Sequence, residues 1–345
     1  MKRILSGLCG LTLLLSGCGL VSQSSDDGVF TIATYGGSYG DSIRERIIKP
    51  FEEKYDVKIR EEMAVSNVTL GKLMQGGSDI DVAFMDGGVS EHAESMSVLE
   101  PIDTSKLSNA DSLIDEAIYE KDGKNFAISA GYYAVGLTYN SEKIDTPPKS
   151  WKDLWKPEYA DKVTAPSVSN AMGLPFVLGI NQAYGGEPDS IDTAVKELGK
   201  LKVASYFDTA GAGENLFQGD EATIGAAYAS SAAALKKGGK PIEYVTPEEG
   251  AIAGDIRLHI PKTSSNTDLA YKFIDLAISA QAQQEMSADL LNAPVNKKAK
   301  LSESLKAQMP YGKDGSIADL NVPDWFALNE NRQKWTIEFN QEVIG

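Results

Sequence analysis

Residues 30–63 read FTIATYGGSYGDSIRERIIKPFEEKYDVKIREEM. Phe30 to Tyr35 is a short β-prone run that ends at Gly36-Gly37-Ser38-Tyr39-Gly40. Asp41 or Ser42 can cap a following helix, whose Ile43, Ile47, Ile48, Phe51 and Tyr55 fall on one face at helical spacing. Pro50 interrupts its second half. From Val57 to Met63 the pattern alternates again, with Val57 and Ile59 set against Lys58 and Arg60. Strand, glycine loop, helix and strand in that order are the unit of a parallel sheet with helices on its faces.

The same rhythm continues outward. Leu70 to Gln75 fits a short helix, Asp81 to Met85 a buried strand, and Val89 to Leu99 a helix after the break at Asp86-Gly87-Gly88. Phe126 to Tyr139 is a long aromatic strand able to carry the chain from one lobe to another. Beyond Pro147-Pro148, strands at Val163–Pro166, Val203–Phe207, Ala222–Tyr228 and Ile242–Val245 alternate with helices at Asn170–Tyr184, Ile191–Leu201 and Ser230–Lys237. Ile256 to Ile260 reads as a return crossing, and the chain from Thr267 onward is mainly helical. An α/β chain of 345 residues is too long for one ordinary core and divides into two lobes. The expected boundaries are 29–134 and 256–300 for lobe 1 and 135–255 for lobe 2. Residues 301–345 are expected to pack on lobe 2 and the hinge.

The first residues have a different character. Lys2 and Arg3 precede an apolar stretch from Ile4 to Leu15, which ends in Leu15-Ser16-Gly17-Cys18. This is the layout of a signal peptide, expected over 1–17. Its last four residues resemble the bacterial lipobox, which makes Cys18 the expected lipidated residue. Residues 18–28 are then a polar tether. The other cysteine, Cys9, lies inside the apolar stretch, so no disulfide or cysteine-based metal site is expected. A net charge of −16 excludes the basic stripe that a nucleic-acid partner requires.

Catalytic chemistry finds little support. His92 and His259 are the only histidines, and neither a Gly-x-Ser-x-Gly elbow nor a phosphate-binding P-loop occurs. Instead, small and polar groups recur where strands end: Tyr35 to Tyr39, Asp86 to Gly88, Pro166 to Asn170, Asp208 to Ala210 and Tyr228 to Ser231. In open α/β sheets, ligands bind outside the carboxyl ends of strands, where helix N-termini offer unpaired N–H groups. The candidate contacts are Tyr35, Ser38, Tyr39, Asp86, Gly87, Tyr132, Ser169, Asn170, Asp208, Thr209, Tyr228 and Asp255. No enzyme, cofactor or metal is expected.

Several of these stretches resemble the polyamine-type solute-binding proteins of ABC importers. They are the opening from Phe30, DVAFMDGGVSEHAES, GYYAVGLTYN, WKDLWKPEYADKV, and PEEGAIAGDIRLHIPKTSSNTDLAYKFIDLAIS. The resemblance runs from Phe30 to the C-terminal helix. It implies a type II, Venus-flytrap fold with two lobes, a hinge of two stretches and a cleft between them. It implies a monomeric receptor outside the cytoplasmic membrane, in a periplasm or on a cell surface. Such a receptor delivers a small amine (a polyamine, opine, aminophosphonate or similar) to a permease. By the resemblance, Ser38 and Tyr39 offer hydroxyls, Tyr228 stands where polyamine receptors place a tryptophan, and Asp255 falls one residue before the acidic position that binds an amine. Trp151, Trp155, Trp325 and Trp335 lie away from the positions of the family's aromatic clamp, which points to a smaller or more polar solute than spermidine. The alternatives are a ferric-ion or small-anion receptor of the same fold, or a hydrolytic enzyme. Iron needs neighbouring tyrosine ligands, and alternation along a strand turns Tyr132 and Tyr133 to opposite faces.

Overall fold

The computed structural model describes residues 29–311 and 316–345. The expected signal peptide, Cys18 and the tether to Gly28 lie outside the described residues. Among those described, no helix is long and apolar enough to cross a membrane.

The opening unit forms as a parallel β-α-β arrangement. Strand β1 (Phe30–Thr34) is buried along its whole length, as suits a strand paired on both sides in parallel. Helix α1 (Gly37–Ile43) begins earlier than the Asp41 or Ser42 cap expected for it. Its first turn is the glycine loop itself. A Cβ at Gly40 would lie 1.9 Å from the Tyr35 carbonyl oxygen, so only glycine lets strand and helix meet this closely. A π-helical turn at Arg44–Ile48 leads into α2 (Lys49–Tyr55). Ile48 and Lys49 are themselves right-handed helical, so Pro50 lies inside one continuous helical run, directly after the π-helical irregularity. Then follow β2 (Ile59–Met63), α3 (Ser66–Gln75), β3 (Val82–Asp86), α4 (Gly87–Ser95), β4 (Leu99–Glu100) and β5 (Ile118–Lys121).

Strand β6 (Lys124–Asn140) has 17 residues and is buried from Phe126 onward. At about 3.3 Å per residue it spans about 55 Å, long enough to serve two halves of the molecule. After it come β7 (Val163–Pro166), α5 (Gly173–Ala183), α6 (Asp192–Leu198), β8 (Val203–Phe207), α7 (Ala210–Gln218), β9 (Ile224–Tyr228), α8 (Ala229–Lys237) and β10 (Ile242–Val245). Strand β11 (Ile252–Pro261), fully buried, runs back antiparallel to β6 from Ile252 opposite Val135 to Leu258 opposite Ile128. The chain closes with α9 (Thr267–Ala277), α10 (Ala280–Leu290), α11 (Glu303–Lys306) and α12 (Trp325–Phe339).

The strand order is β2-β1-β3-β11-β6-β9-β7-β8. From Ile256 to His259, β11 pairs with β3, while from Val135 to Tyr139, β6 pairs with β9. Thus β6 and β11 lie side by side at the centre and carry the chain between two groups of strands. A register shift between Ile256 and Arg257 marks the crossing. Helix α9 fastens the return segment to the first group. Its Phe273 ring lies 6.1, 5.2 and 6.2 Å from the rings of Phe30, Phe51 and Phe84. Helix α12 differs from expectation. It packs against α4 of the first group as well as α5 of the second, and its Asn329 side chain donates to the Gly88 carbonyl at 2.7 Å.

Candidate functional site

A cavity of about 480 Å³ opens at the carboxyl ends of β1 and β3 on one side and β7, β8 and β9 on the other. Small-molecule sites fall in roughly the same size range, 300–1,000 Å³. Eight expected residues line it: Tyr35, Tyr39, Asp86, Ser169, Asn170, Asp208, Thr209 and Tyr228. Its lining holds no lysine, arginine, histidine, cysteine or tryptophan.

Asp86 is the most constrained of these. It ends β3 and is the N-cap of α4, and it is 7% exposed. The Ser66 hydroxyl donates to Oδ2, and Tyr133 donates to Oδ1 at 2.7 Å. Tyr35 makes a longer contact to Oδ2 at 3.4 Å, and its hydroxyl lies 2.9 Å from Ser66 Oγ. All three groups are neutral. Burial pushes the carboxyl above the usual carboxylate range, while the Ser66, Tyr133 and Tyr35 hydroxyls pull it back and the nearby Asp255 charge adds to the rise. The phenols of Tyr35, Tyr39, Tyr133 and Tyr228 are all pushed up, first by burial and next by Asp86, so they remain protonated hydroxyls at neutral pH. The Tyr39 hydroxyl is buried without a partner.

The opposite wall is more polar and more open. Asn170 accepts from the Tyr228 hydroxyl at 2.6 Å and donates to the Asp208 carbonyl at 3.0 Å, which ties three strand ends together. Asp208 is exposed at the mouth and accepts from Ser167. Thr209 caps α7 through the Ala212 N–H at 3.2 Å. The rings of Tyr133 and Tyr228 lie 5.6 Å apart across the cavity's inner end.

Four expected contacts are not among the lining residues. Tyr132 is on the wrong face of β6: its hydroxyl lies 3.0 Å from that of Tyr119 and donates to the Glu116 carbonyl at 3.1 Å. Alternation brings Tyr133 to the cavity in its place. Asp255 is fully buried on the other face of β11, where Arg257 Nε donates to it at 2.7 Å. The same guanidinium donates to Glu91 at 2.6 Å and lies 3.3 Å from the Tyr119 ring centre. Asp255 therefore already has an internal counter-ion, and Ile256, the next residue along, lines the cavity. Gly87 faces this network rather than the cleft. A Cβ there would meet Asp255 Oδ1 at 2.5 Å and Trp325 Nε1 at 2.6 Å. Ser38 donates to Glu214 of α7 at 3.0 Å, joining the glycine loop to the opposite wall instead of turning into the cavity.

Residues outside the candidate contacts also line the site: Ser66, Tyr133, Ser230 and Ile256 among them. The two histidines lie elsewhere. His92 is exposed, and His259 is buried with Nε2 2.8 Å from Ser90 Oγ and Nδ1 3.1 Å from the Ala83 carbonyl. Burial pushes His259 down to about 3, so it is neutral at physiological pH. Among the described residues, no group of three or more histidine, cysteine or acidic side chains is placed to hold a metal ion.

The arrangement, a walled cavity at facing strand ends lined by hydrogen-bonding groups, suits capture of a small molecule. Comparison with known proteins agrees. Residues 78–317 match the family model described as bacterial extracellular solute-binding protein. The putrescine-binding periplasmic protein PotF of Escherichia coli strain K12 is 27% identical over 323 residues, covering 86% of this chain and 85% of that one. A spermidine/putrescine-binding periplasmic protein of Salmonella typhimurium is 30% identical over 201 residues, 55% of this chain and 56% of its own length. A crystal structure of an ABC transporter from Clostridium perfringens superposes with a TM-score of 0.70 at 25% identity, covering 91% of this chain and 99% of that one. This chain belongs to the bacterial extracellular solute-binding protein family, as a substrate-binding receptor of the ABC-importer type.

Proposed function

We propose that the cleft captures a small solute bearing an ammonium group, that Asp86 is the counter-ion of that group, and that the receptor hands the solute to its permease unaltered. One observation carries this reading: a buried carboxylate faces the cavity with hydroxyl donors around it, no cationic side chain hydrogen-bonded to it and none in the cavity lining, the Arg332 guanidinium of α12 acting on it only at longer range. A desolvated charge without an opposite charge is costly, and a bound ammonium would relieve that cost. The aromatic faces of Tyr39, Tyr133 and Tyr228 suit a cation as well. The relatives named for putrescine and spermidine support an amine, and the absence of tryptophan from the lining favours a solute unlike spermidine in shape.

The ferric alternative is weaker physically. Iron would need phenolates, and burial together with the Asp86 charge raises the cost of deprotonating each phenol at this cavity. The receptor works as a monomer, held at the outer face of the cytoplasmic membrane by lipid on Cys18. A thermal-shift screen of small amines tests the reading: a ligand at about 100 times its Kd adds about 2.7 kcal/mol of stability. Stabilisation by neutral or purely anionic solutes, with none by amines, would contradict it.

A further inference from the structure

The two groups of strands touch at a point far from the crossing that joins them. In the order β2-β1-β3-β11-β6-β9-β7-β8, β1 lies near one edge and β8 at the other. Yet the glycine loop after β1 meets α7, the helix that follows β8. A Cβ at Gly37 would lie 3.8 Å from the Gly211 nitrogen, so the two backbones are in van der Waals contact, and both glycines line the cavity. Gly37 has φ +69°, which glycine adopts without strain. The two wings can reach each other only by folding together over the cavity, so this contact belongs to a closed arrangement.

One side chain holds the contact. Glu214 of α7 takes two hydroxyl donors on the same oxygen, Oε1. Ser38 of α1, in the first group, donates at 3.0 Å, and Ser231 of α8, in the second, donates at 2.9 Å. Among the described residues, the Ser38 bond is the only hydrogen bond between α1 and α7. Burial pushes the Glu214 carboxyl up, the Ser231 and Ser38 hydroxyls pull it back, and the Asp41 charge adds to the rise. Neither Glu214 nor its two serines line the cavity, so none is placed to touch a solute. The groups also meet at Asp289 of α10, which pairs with Arg46 at 2.7 Å and lies 3.8 Å from Lys237 of α8. The Lys237 side chain is 80% exposed, so solvent screens that link.

We infer that Glu214 is the latch of this receptor: its bond to Ser38 holds the rim of the cavity shut and so governs how readily a solute leaves. Glu214 is a positioning residue, acting through the arrangement of the two groups and not on the solute. The latch consists of protein groups alone, so it works whatever the solute is. A hydroxyl bonded to a carboxylate is strong enough to shift the ratio of closed to open forms about tenfold.

The test measures that ratio directly. Spin labels are attached to Gln75→Cys on α3 and Gln218→Cys on α7, exposed positions in opposite groups. The full chain carries Cys9→Ser and Cys18→Ser so that no other thiol is labelled, and unfolding, dialysis and refolding free it of solute, as mass spectrometry checks. Double electron–electron resonance then gives the distance distribution of this parent and of Ser38→Ala, Glu214→Gln and Ser231→Ala, with circular dichroism and Tm to check each fold. The expected parent shows a short-distance, closed population. Ser38→Ala should lower the ratio of short to long distances about tenfold. Glu214→Gln, which keeps an acceptor oxygen without the charge, should lower it by less. Ser231→Ala, which leaves the bond between the groups in place, should also lower it by less. A purely local role for Ser38 would not move this distance. A parent with only the long distance, a distribution that Ser38→Ala leaves unchanged, or equal shifts from Ser38→Ala and Ser231→Ala, overturns the inference.

Discussion

Replacing Asp86 by Asn keeps the side chain's shape and removes its charge. In the ligand-free protein the change should be nearly neutral or stabilising. Ser66, Tyr133 and Tyr35 remain to pair with the amide, since hydroxyls accept as well as donate, and a buried charge with no hydrogen-bonded counter-ion disappears. In the complex the change removes one member of a buried, charge-assisted pair. Such losses cost about 2–5 kcal/mol, or about 30- to 4,000-fold in Kd. The pH dependence carries the same signature. A carboxyl raised above its unfolded value favours the folded state below its folded pKa, and that benefit is lost as pH rises from the unfolded value through the folded one. A bound ammonium reverses this loss, so the ligand-induced gain in Tm should grow with pH across that window and be flat in Asp86→Asn. Calorimetric titration and scanning calorimetry of both proteins measure these effects. An unchanged Kd for the native solute, with an unchanged pH profile, would refute the assignment of Asp86.

Two further outcomes follow from other parts of the chain. His259 is buried and neutral, with a folded value near 3 against 6.5 when unfolded, so protonation of the unfolded state costs stability as pH falls below 6.5. By pH 4.5 this contribution is about 2–3 kcal/mol, and His259→Gln should show a shallower loss of stability between pH 6.5 and 4.5 in denaturant titrations; an equal slope would contradict it. Cys18→Ser should release the processed protein from the membrane fraction into solution, and a variant still tightly membrane-bound would remove the anchor assignment.

The strand ends were readable because their chemistry is local. A β-prone run followed by glycine and a polar residue marks where a parallel strand stops, and Tyr35, Asp86, Asn170, Asp208 and Tyr228 all fall there and line the cavity. The phase along β6 and β11 was harder to read. Choosing Tyr132 over Tyr133, and Asp255 over Ile256, is a one-residue error that turns a side chain to the opposite face. The register shift at Ile256/Arg257, with Gly131 opposite Ile256 at φ +131°, alters alternation at the crossing. A usable signal did exist: Asp255 and Arg257 are two apart on a strand, share a face, and so can neutralise each other. Helix starts were missed for a related reason. Gly36-Gly37 and Gly87-Gly88 read as breaks, yet helices begin at Gly37 and Gly87; the tight strand-to-helix turn leaves no room for a Cβ at Gly40, and the Asp255 and Trp325 side chains leave none at Gly87. Ser66 carries no mark in the sequence, and Ser230 none beyond its place in the Tyr228–Ser231 strand end. Their places in the site come from neighbours that only the folded chain supplies.

The most direct measurement is a crystal structure of the receptor with its native solute, identified by mass spectrometry from the same preparation. The account predicts an unmodified amine in the cavity, its nitrogen about 3 Å from an Asp86 carboxylate oxygen. A solute without a cationic nitrogen, or one whose nitrogen sits at the exposed Asp208 while Asp86 keeps only its hydroxyl partners, would contradict it.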